Sequence, residues 1–156
     1  MDIVKSILFG LIVVVVIGIT GYLIWSTVSI NMRSVTGGPV HYHGDFQIWN
    51  CLKQVDLIDP AGWDNKVGTP LLHEHNDGRI HVEGPVMDYK DISLGKFFEV
   101  VGGLPLDGEE CNGEMAVLQV FVYKTEGNSF YQEKITDYEN YILSSHSKVP
   151  PGNCII

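Results

Sequence analysis

The chain has 156 residues and a formal net charge of −9, from 10 Lys and Arg against 19 Asp and Glu. An apolar run over 6–30 leaves about 120 residues for everything else, the length of one ordinary domain, which excludes two large domains. After residue 33 the chain carries 18 acidic and 8 basic residues, since Asp2, Lys5 and Arg33 are the charged residues before that point. A domain this acidic is not expected to bind nucleic acid.

The run 6–30 has no charged residue over 25 positions and predicts a transmembrane helix. A helix that rises about 1.5 Å per residue crosses a ~30 Å hydrocarbon core in about 20 residues. A signal peptide would have a shorter apolar region and an A-x-A-like cleavage site, so we predict an uncleaved anchor over 1–33. Tyr22 and Trp25 lie where interfacial aromatic residues are found.

A few charged and small residues predict the orientation of this helix in the membrane and its association with other helices. Lys5 and the amino terminus lie on one side and Arg33 on the other, which favours a cytoplasmic amino terminus and an extracytoplasmic domain over 34–156. Ser6, Gly10 and Gly21 share one helical face, which favours self-association or contact with other membrane-protein subunits. Glycine is also common in membrane helices that make no such contact.

A short flexible link, 34–38, is predicted to join the anchor to the folded domain. This domain is predicted to be α+β, with an antiparallel or mixed sheet, one short helix and a topology similar to the β-grasp fold. Alternating apolar residues predict a strand over 40–49, and the helix is expected over 91–103, with Ser93 as its N-cap. The apolar run 116–123 predicts a central strand. Further strands are expected over 130–134, after a hairpin at 126–128, and from Cys154.

The segment 71–83 predicts a hairpin around Asn76-Asp77-Gly78. A two-residue loop would mix polar and apolar groups on each face. A three-residue loop with a left-handed Gly78 pairs His73 with His81 and gives one apolar face, with Glu74 as its polar exception. Because a buried face must be apolar, we predict the three-residue loop.

Five of the six histidines fall within 41 residues and form the most pointed chemical feature of the chain: His41, His43, His73, His75 and His81. On a strand, H-x-H puts two imidazoles on one side about 7 Å apart, so they can converge on one ion with a ligand from a neighbouring strand. Asp45, Glu74 and Glu83 are nearby oxygen donors. All-imidazole ligands with a carboxylate suit Zn or Cu(II), so the cofactor prediction is Cu or Zn.

Three functions fit these residues. The first is a membrane-anchored extracytoplasmic domain that binds Cu or Zn without catalysis. The second is a single-span accessory subunit of a larger membrane complex, in which the histidines form a polar or pH-sensitive contact face. The third is a metalloenzyme with Glu74 or Glu83 as base. His146 has no partner by sequence and is predicted to be a loop histidine.

Two family resemblances accompany the H-x-H pairs. Cupins chelate metal through His-x-His and a following Glu, but Gln47 and Arg79 stand where that Glu would be. Residues 40–104 more closely resemble a family of small membrane-anchored extracytoplasmic proteins that has no established activity. The shared motifs are His41-Tyr-His43, His73-Glu-His75, Arg79-Ile-His81-Val82 and Leu94-Gly-Lys-Phe-Phe98.

The cysteines Cys51, Cys111 and Cys154 include no C-x-x-C, which excludes a zinc ribbon or a thioredoxin motif. Outside the cytoplasm one disulfide is expected. Its pairing is open, with Cys111–Cys154 slightly preferred over Cys51 with either of them.

Overall fold

The protein is described from a computed structural model, which covers residues 3–51, 53–57, 59–104, 110–111, 114–115, 117–126 and 129–143. Its first element is helix α1, Ile3–Arg33, whose most apolar window has a mean hydropathy of 2.8 and in which no described residue is buried. By length and composition α1 can cross a membrane, and a signal sequence has the same properties.

In the described part of the chain, antiparallel strands follow the helix in four groups. Their bounds are β1 Pro39–Asp45, β2 Ile48–Asn50, β3 Lys53–Val55, β4 Val67–Gly68, β5 Leu72–Glu74, β6 Arg79–Pro85, β7 Glu110–Cys111, β8 Glu114–Met115, β9 Val120–Glu126 and β10 Ser129–Ile135. The main sheet has the order β1-β6-β5-β4, and β2–β3, β7–β8 and β9–β10 form two-stranded sheets. With helix α2, Leu94–Val100, the protein is α+β, as predicted. The β-grasp-like form stays a prediction.

The β5–β6 hairpin has the predicted register, with His73 opposite His81 and Leu72 opposite Val82. Gly78 is left-handed at φ 66°, as the three-residue loop requires, and Asn76 is also left-handed at φ 61°. Glu74 is buried, and its Oε1 accepts hydrogen bonds from the backbone N–H groups of Asp77 and Gly78 at 2.6 and 3.1 Å. Glu74, the one polar residue on the apolar face, therefore stabilises the hairpin loop through these hydrogen bonds.

The hydrophobic core lies between the main sheet and α2. Ser93 caps this helix as predicted, accepting a hydrogen bond from the Lys96 backbone N–H at 3.1 Å. The apolar side chains buried around it include Leu72, Ile80 and Val82 from the sheet, and Leu94, Phe97, Phe98 and Val101 from the helix region. Since strand side chains alternate between faces, the opposite face of the sheet carries the histidines.

Two predicted strands differ from the structure. The expected strand over 40–49 is divided into β1 and β2, because β6 begins at Arg79 and leaves β1 without a partner beyond Asp45; β2 pairs with β3 instead. Within the described residues the run 116–123 does not form a central strand: Val117 is 79% exposed, and β9 pairs there with β10 alone. The strand over 130–134 is confirmed, and it pairs antiparallel with β9; residues 127 and 128 of the predicted hairpin at 126–128 lie outside the described residues. His146 and Cys154 lie outside the described residues.

The link after α1 is hydrogen-bonded to the domain instead of hanging free. The Val35 backbone N–H donates to the Val86 carbonyl at 2.8 Å, and the Tyr89 hydroxyl donates to the Val35 carbonyl at 3.3 Å. Ser34 is buried, and its Oγ accepts a hydrogen bond from the Gly38 N–H at 2.8 Å. The predicted flexible link is therefore a structured turn.

Candidate metal centre

The main sheet brings the histidines of both H-x-H pairs to one face. Strand β1 pairs with β6, so His41 lies opposite Glu83 and His43 lies opposite His81. On its other edge β6 pairs with β5, which puts His73 opposite His81. The first strand and the hairpin thus share one sheet, a point that the sequence left open.

These side chains form two adjacent groups. The inner histidines are His73, His75 and His81, and the outer group is His41, His43 and Glu83. Within each group, one ligand atom from every member lies within 4.8 Å of those of the other members. The five predicted histidines, together with Glu83, therefore fall into two sets of three potential ligands, each with a different exposure.

His73 is the most enclosed of the inner histidines, with an exposed fraction of 0%. Its Nδ1 lies 3.1 Å from the carbonyl oxygen of Thr69, which can only accept, so Nδ1 carries the proton. The lone pair is then on Nε2, which is buried without a hydrogen-bond partner in the described part of the chain. This atom is free to bind an ion.

The rings of His75 and His81 are oriented in the same way. Nδ1 of His75 donates to the carbonyl of Asn65 at 2.5 Å, which leaves the lone pair on Nε2. Nε2 of His81 donates to the Asp77 carboxylate at 3.2 Å, which leaves the lone pair on Nδ1. Nδ1 of His81 is likewise buried with no hydrogen-bond partner among the described atoms.

The inner histidines have the arrangement that metal-binding imidazoles adopt. A ligating histidine donates its second ring N–H to a carbonyl or carboxylate, and this bond fixes the tautomer and the ring orientation. All three rings have such an acceptor, and their centroids lie between 4.8 and 5.3 Å apart. Three neutral imidazole nitrogens can supply three positions of a tetrahedral Zn²⁺ site, with the fourth left for a carboxylate or water.

Burial also keeps the central imidazole neutral. Desolvation, and secondarily the positive charge of Lys66, lower the pKa of His73 to about 4. The pKa of His43 is lowered too, first by burial and then by His81. A neutral imidazole is the form that binds a metal ion. Near neutral pH, His73 is therefore ready to act as a ligand.

Glu83 lies between the two groups. Its Oε2 is 3.8 Å from Nε2 of His73, and its Oε1 is 3.9 Å from Nδ1 of His81 and 3.1 Å from Nε2 of His41. The first two distances are too long for hydrogen bonds. The carboxylate therefore faces the two unpartnered nitrogens without satisfying either of them.

The other predicted oxygen donors have different roles. Asp45 forms an ion pair with Arg79, in which the guanidinium Nε donates to Oδ1 at 2.5 Å. Glu74 holds the hairpin loop and lines a cavity of about 50 Å³ with Phe46 and Ile48, which argues against its role as a base beside the histidines. Of the three carboxylates proposed from the sequence, Glu83 alone belongs to a described ligand group.

Sequence reasoning missed the groups that orient the rings. Asn65 and Thr69 act through backbone carbonyls, which carry no residue-type signal. Asp77 acts through its side chain and stands four residues before His81, but the sequence argument used it only as a turn residue. The segment containing Asn65 and Thr69 is hydrogen-bonded to His73 and His75, so this part of the histidine face is not an open polar surface.

Comparison of the chain with protein-family models, curated proteins and solved structures finds no match.

Proposed function

We propose that the protein is a membrane-anchored metal-binding protein whose inner histidines hold one divalent transition-metal ion, Zn²⁺ or Cu²⁺, in a site that handles or stores the ion instead of catalysing a reaction. The observation that carries this proposal is the pair of buried, unpartnered nitrogens, Nε2 of His73 and Nδ1 of His81. Buried polar atoms in native proteins almost always have a partner. A bound ion would satisfy both atoms at once.

The non-catalytic assignment follows from the surroundings of the ion. His73 is fully buried, and Oε2 of Glu83 lies 3.8 Å from its Nε2, so this carboxylate can supply a fourth ligand; this favours a closed site over one that leaves room for a substrate.

An extracytoplasmic location for the domain is part of the proposal. Sγ of Cys51 lies 3.7 Å from the carbonyl oxygen of Glu110, the residue before Cys111. This proximity supports a Cys51–Cys111 disulfide in place of the Cys111–Cys154 pair that the sequence slightly favoured. Disulfides persist in oxidising compartments, which agrees with the positive-inside bias of α1.

Metal titration of the full chain in detergent tests the proposal. After chelation and desalting, Zn²⁺ is added in competition with a chromophoric indicator, to wild-type protein and to the His73→Ala/His81→Ala variant. We expect wild type to bind tightly and the variant to lose that binding. His146→Ala removes a histidine outside both H-x-H pairs and is the matched control. Equal binding by wild type and the double variant would refute the assignment.

A second candidate function is that of an accessory subunit in a larger membrane complex, which is compatible with metal binding. The observation that favours it is Trp63, whose side chain is completely exposed, since tryptophan is enriched at protein interfaces. Purification from native membranes in mild detergent should then recover a stoichiometric partner, and the Trp63→Ser variant should lose it. Recovery of the chain alone in both cases would contradict this role.

A further inference from the structure

The outer group contains three potential ligands, and its His41 lies at ligand-like separations from both of the others. Nε2 of His41 lies 2.9 Å from Nε2 of His43 and 3.1 Å from Oε1 of Glu83. Two ligands, each about 2.0–2.1 Å from a Zn²⁺ ion, stand about 3.3 Å apart at a tetrahedral angle. The outer group is therefore close to a coordinating geometry before any ion is bound.

Glu83 belongs to both halves of the site. One of its oxygens is the outer ligand candidate at 3.1 Å from His41, and the other faces the free nitrogen of His73 at 3.8 Å. A carboxylate can bind one metal ion through each oxygen. In two-metal centres the ions lie about 3.5–4 Å apart, a separation that one carboxylate spans.

The sheet fixes this juxtaposition. Strand β6 supplies both His81 and Glu83, on the same face two residues apart, and β1 places His43 opposite the first and His41 opposite the second. The rings of His43 and His81 are in edge contact, with centroids 4.6 Å apart. Neighbouring strands therefore hold the two ligand groups side by side.

We propose that the outer group binds a second divalent transition-metal ion and that Glu83 bridges it to the ion held by the inner histidines. This inference rests on the proposed function, because the bridge requires an inner ion. His41 is 64% exposed at its side chain while His73 is fully buried, so the outer ion binds more weakly and exchanges with solvent. The centre thus has one retained ion and one exchangeable ion.

A simpler explanation of the outer geometry is a hydrogen bond between the two exposed imidazoles, with no ion. Counting ions on the full chain in detergent separates the two explanations. We expect wild type to bind two Zn²⁺ per chain in a titration followed by elemental analysis. The His41→Ala/His43→Ala variant should bind one, with the tighter affinity unchanged. Glu83→Gln should weaken the second ion at least tenfold, whereas Glu99→Gln, on the exposed surface of α2, should change neither ion.

Electron paramagnetic resonance of the Cu²⁺-loaded wild-type chain provides a test that needs no variant. Two Cu²⁺ ions joined by a carboxylate should give a dipole-coupled spectrum with a half-field signal. A single ion per chain, unaffected by the His41→Ala/His43→Ala change, would overturn the dinuclear centre and leave the proposed function intact. Two ions with uncoupled spectra would overturn the bridge. Absence of any bound ion would instead overturn the proposed function itself.

Discussion

At the scale of single residues, metal binding depends on one ring nitrogen from each of two residues that are paired across β5 and β6. Nε2 of His73 and Nδ1 of His81 are buried without a hydrogen bond to any described part of the chain, and each such atom costs about 1–3 kcal/mol. The spacing of the histidines predicted which residues would converge. It did not predict which nitrogen each ring presents, because that choice depends on the carbonyls of Asn65 and Thr69 and on the carboxylate of Asp77.

Asp77→Asn tests the orienting role of this carboxylate. In wild type, Oδ1 of Asp77 accepts a hydrogen bond from the Arg79 backbone N–H at 3.1 Å, and the amide oxygen of the variant can keep this bond and preserve the turn. The negative charge that orients His81 is lost. We expect Zn²⁺ affinity to fall about 10- to 100-fold with unchanged stoichiometry. The measurement is a competition titration, with Asp59→Asn on an exposed loop as control. Equal affinity in both variants would show that Asp77 does not orient a ligand.

The acid sensitivity of the metal-free protein tests the burial of His73. In the folded state its pKa is about 4, and in the unfolded chain it returns to 6.5. The unfolded state therefore binds more protons between these values, and stability rises with pH across that window. The stability that depends on neutral His73 is fully present above pH 6.5 and is lost as the pH falls towards 4. The free energy of unfolding falls by up to about 3 kcal/mol over this window.

Thermal unfolding in detergent with chelator, recorded at several pH values, measures this slope. The His73→Leu variant should have a flatter pH dependence than wild type over the same window, whatever its absolute stability, whereas His41→Ala should keep the wild-type slope. An unchanged slope in His73→Leu would contradict the assignment.

At the scale of secondary-structure elements, local patterns predicted α1, α2 and the β5–β6 hairpin, because each has a periodic apolar face or a specific turn residue. The sequence was a weaker guide to which distant segments pair with each other. The division between β1 and β2 depends on where β6 begins, and the placement of β9 depends on its choice of β10 as partner. Apolar composition predicts that a strand is buried somewhere, but it does not identify the neighbour.

Strand β4 supplies a test of the sheet beneath the inner histidines. Gly68 has φ +115°, and a Cβ there would lie 2.5 Å from the Leu72 carbonyl and 3.0 Å from the Cα of His73. Gly68→Ala should therefore destabilise the fold by about 1–3 kcal/mol and weaken metal binding, because β5 must shift. Gly44→Ala in β1 meets nothing within 4 Å and is the matched control. Thermal unfolding and Zn²⁺ titration measure both effects, and equal behaviour of the two variants would contradict the close packing.

At the scale of the whole molecule, the site follows closely after the apolar helix. Strand β1 begins six residues after α1 ends, and the turn between them is hydrogen-bonded to the domain through Val35. The histidines are thus carried by the strand that leaves the helix and by its neighbours in one sheet. The sequence predicted this order of parts, but not the structured link, because the bonds of Val35 involve main-chain atoms and a distant tyrosine.

The disulfide proposal belongs to this scale because it connects β2–β3 with the segment 110–115. Peptide mapping of the non-reduced protein from native membranes should recover a Cys51–Cys111 crosslinked peptide. Its expected stabilisation is about 2–4 kcal/mol, measurable as a lower unfolding temperature after reduction. Recovery of a Cys111–Cys154 peptide would contradict the pairing, and recovery of three free thiols would contradict the extracytoplasmic location.

The most direct test of metal binding is elemental analysis of the protein purified from its native membranes without added metal. Inductively coupled plasma mass spectrometry should find about one or more Zn or Cu per chain, and His73→Ala/His81→Ala protein prepared in the same way should lose the ion of the inner site. Less than about a tenth of an equivalent in wild type, even after metal is offered, would contradict the account, because a site this well oriented should retain its ion through purification.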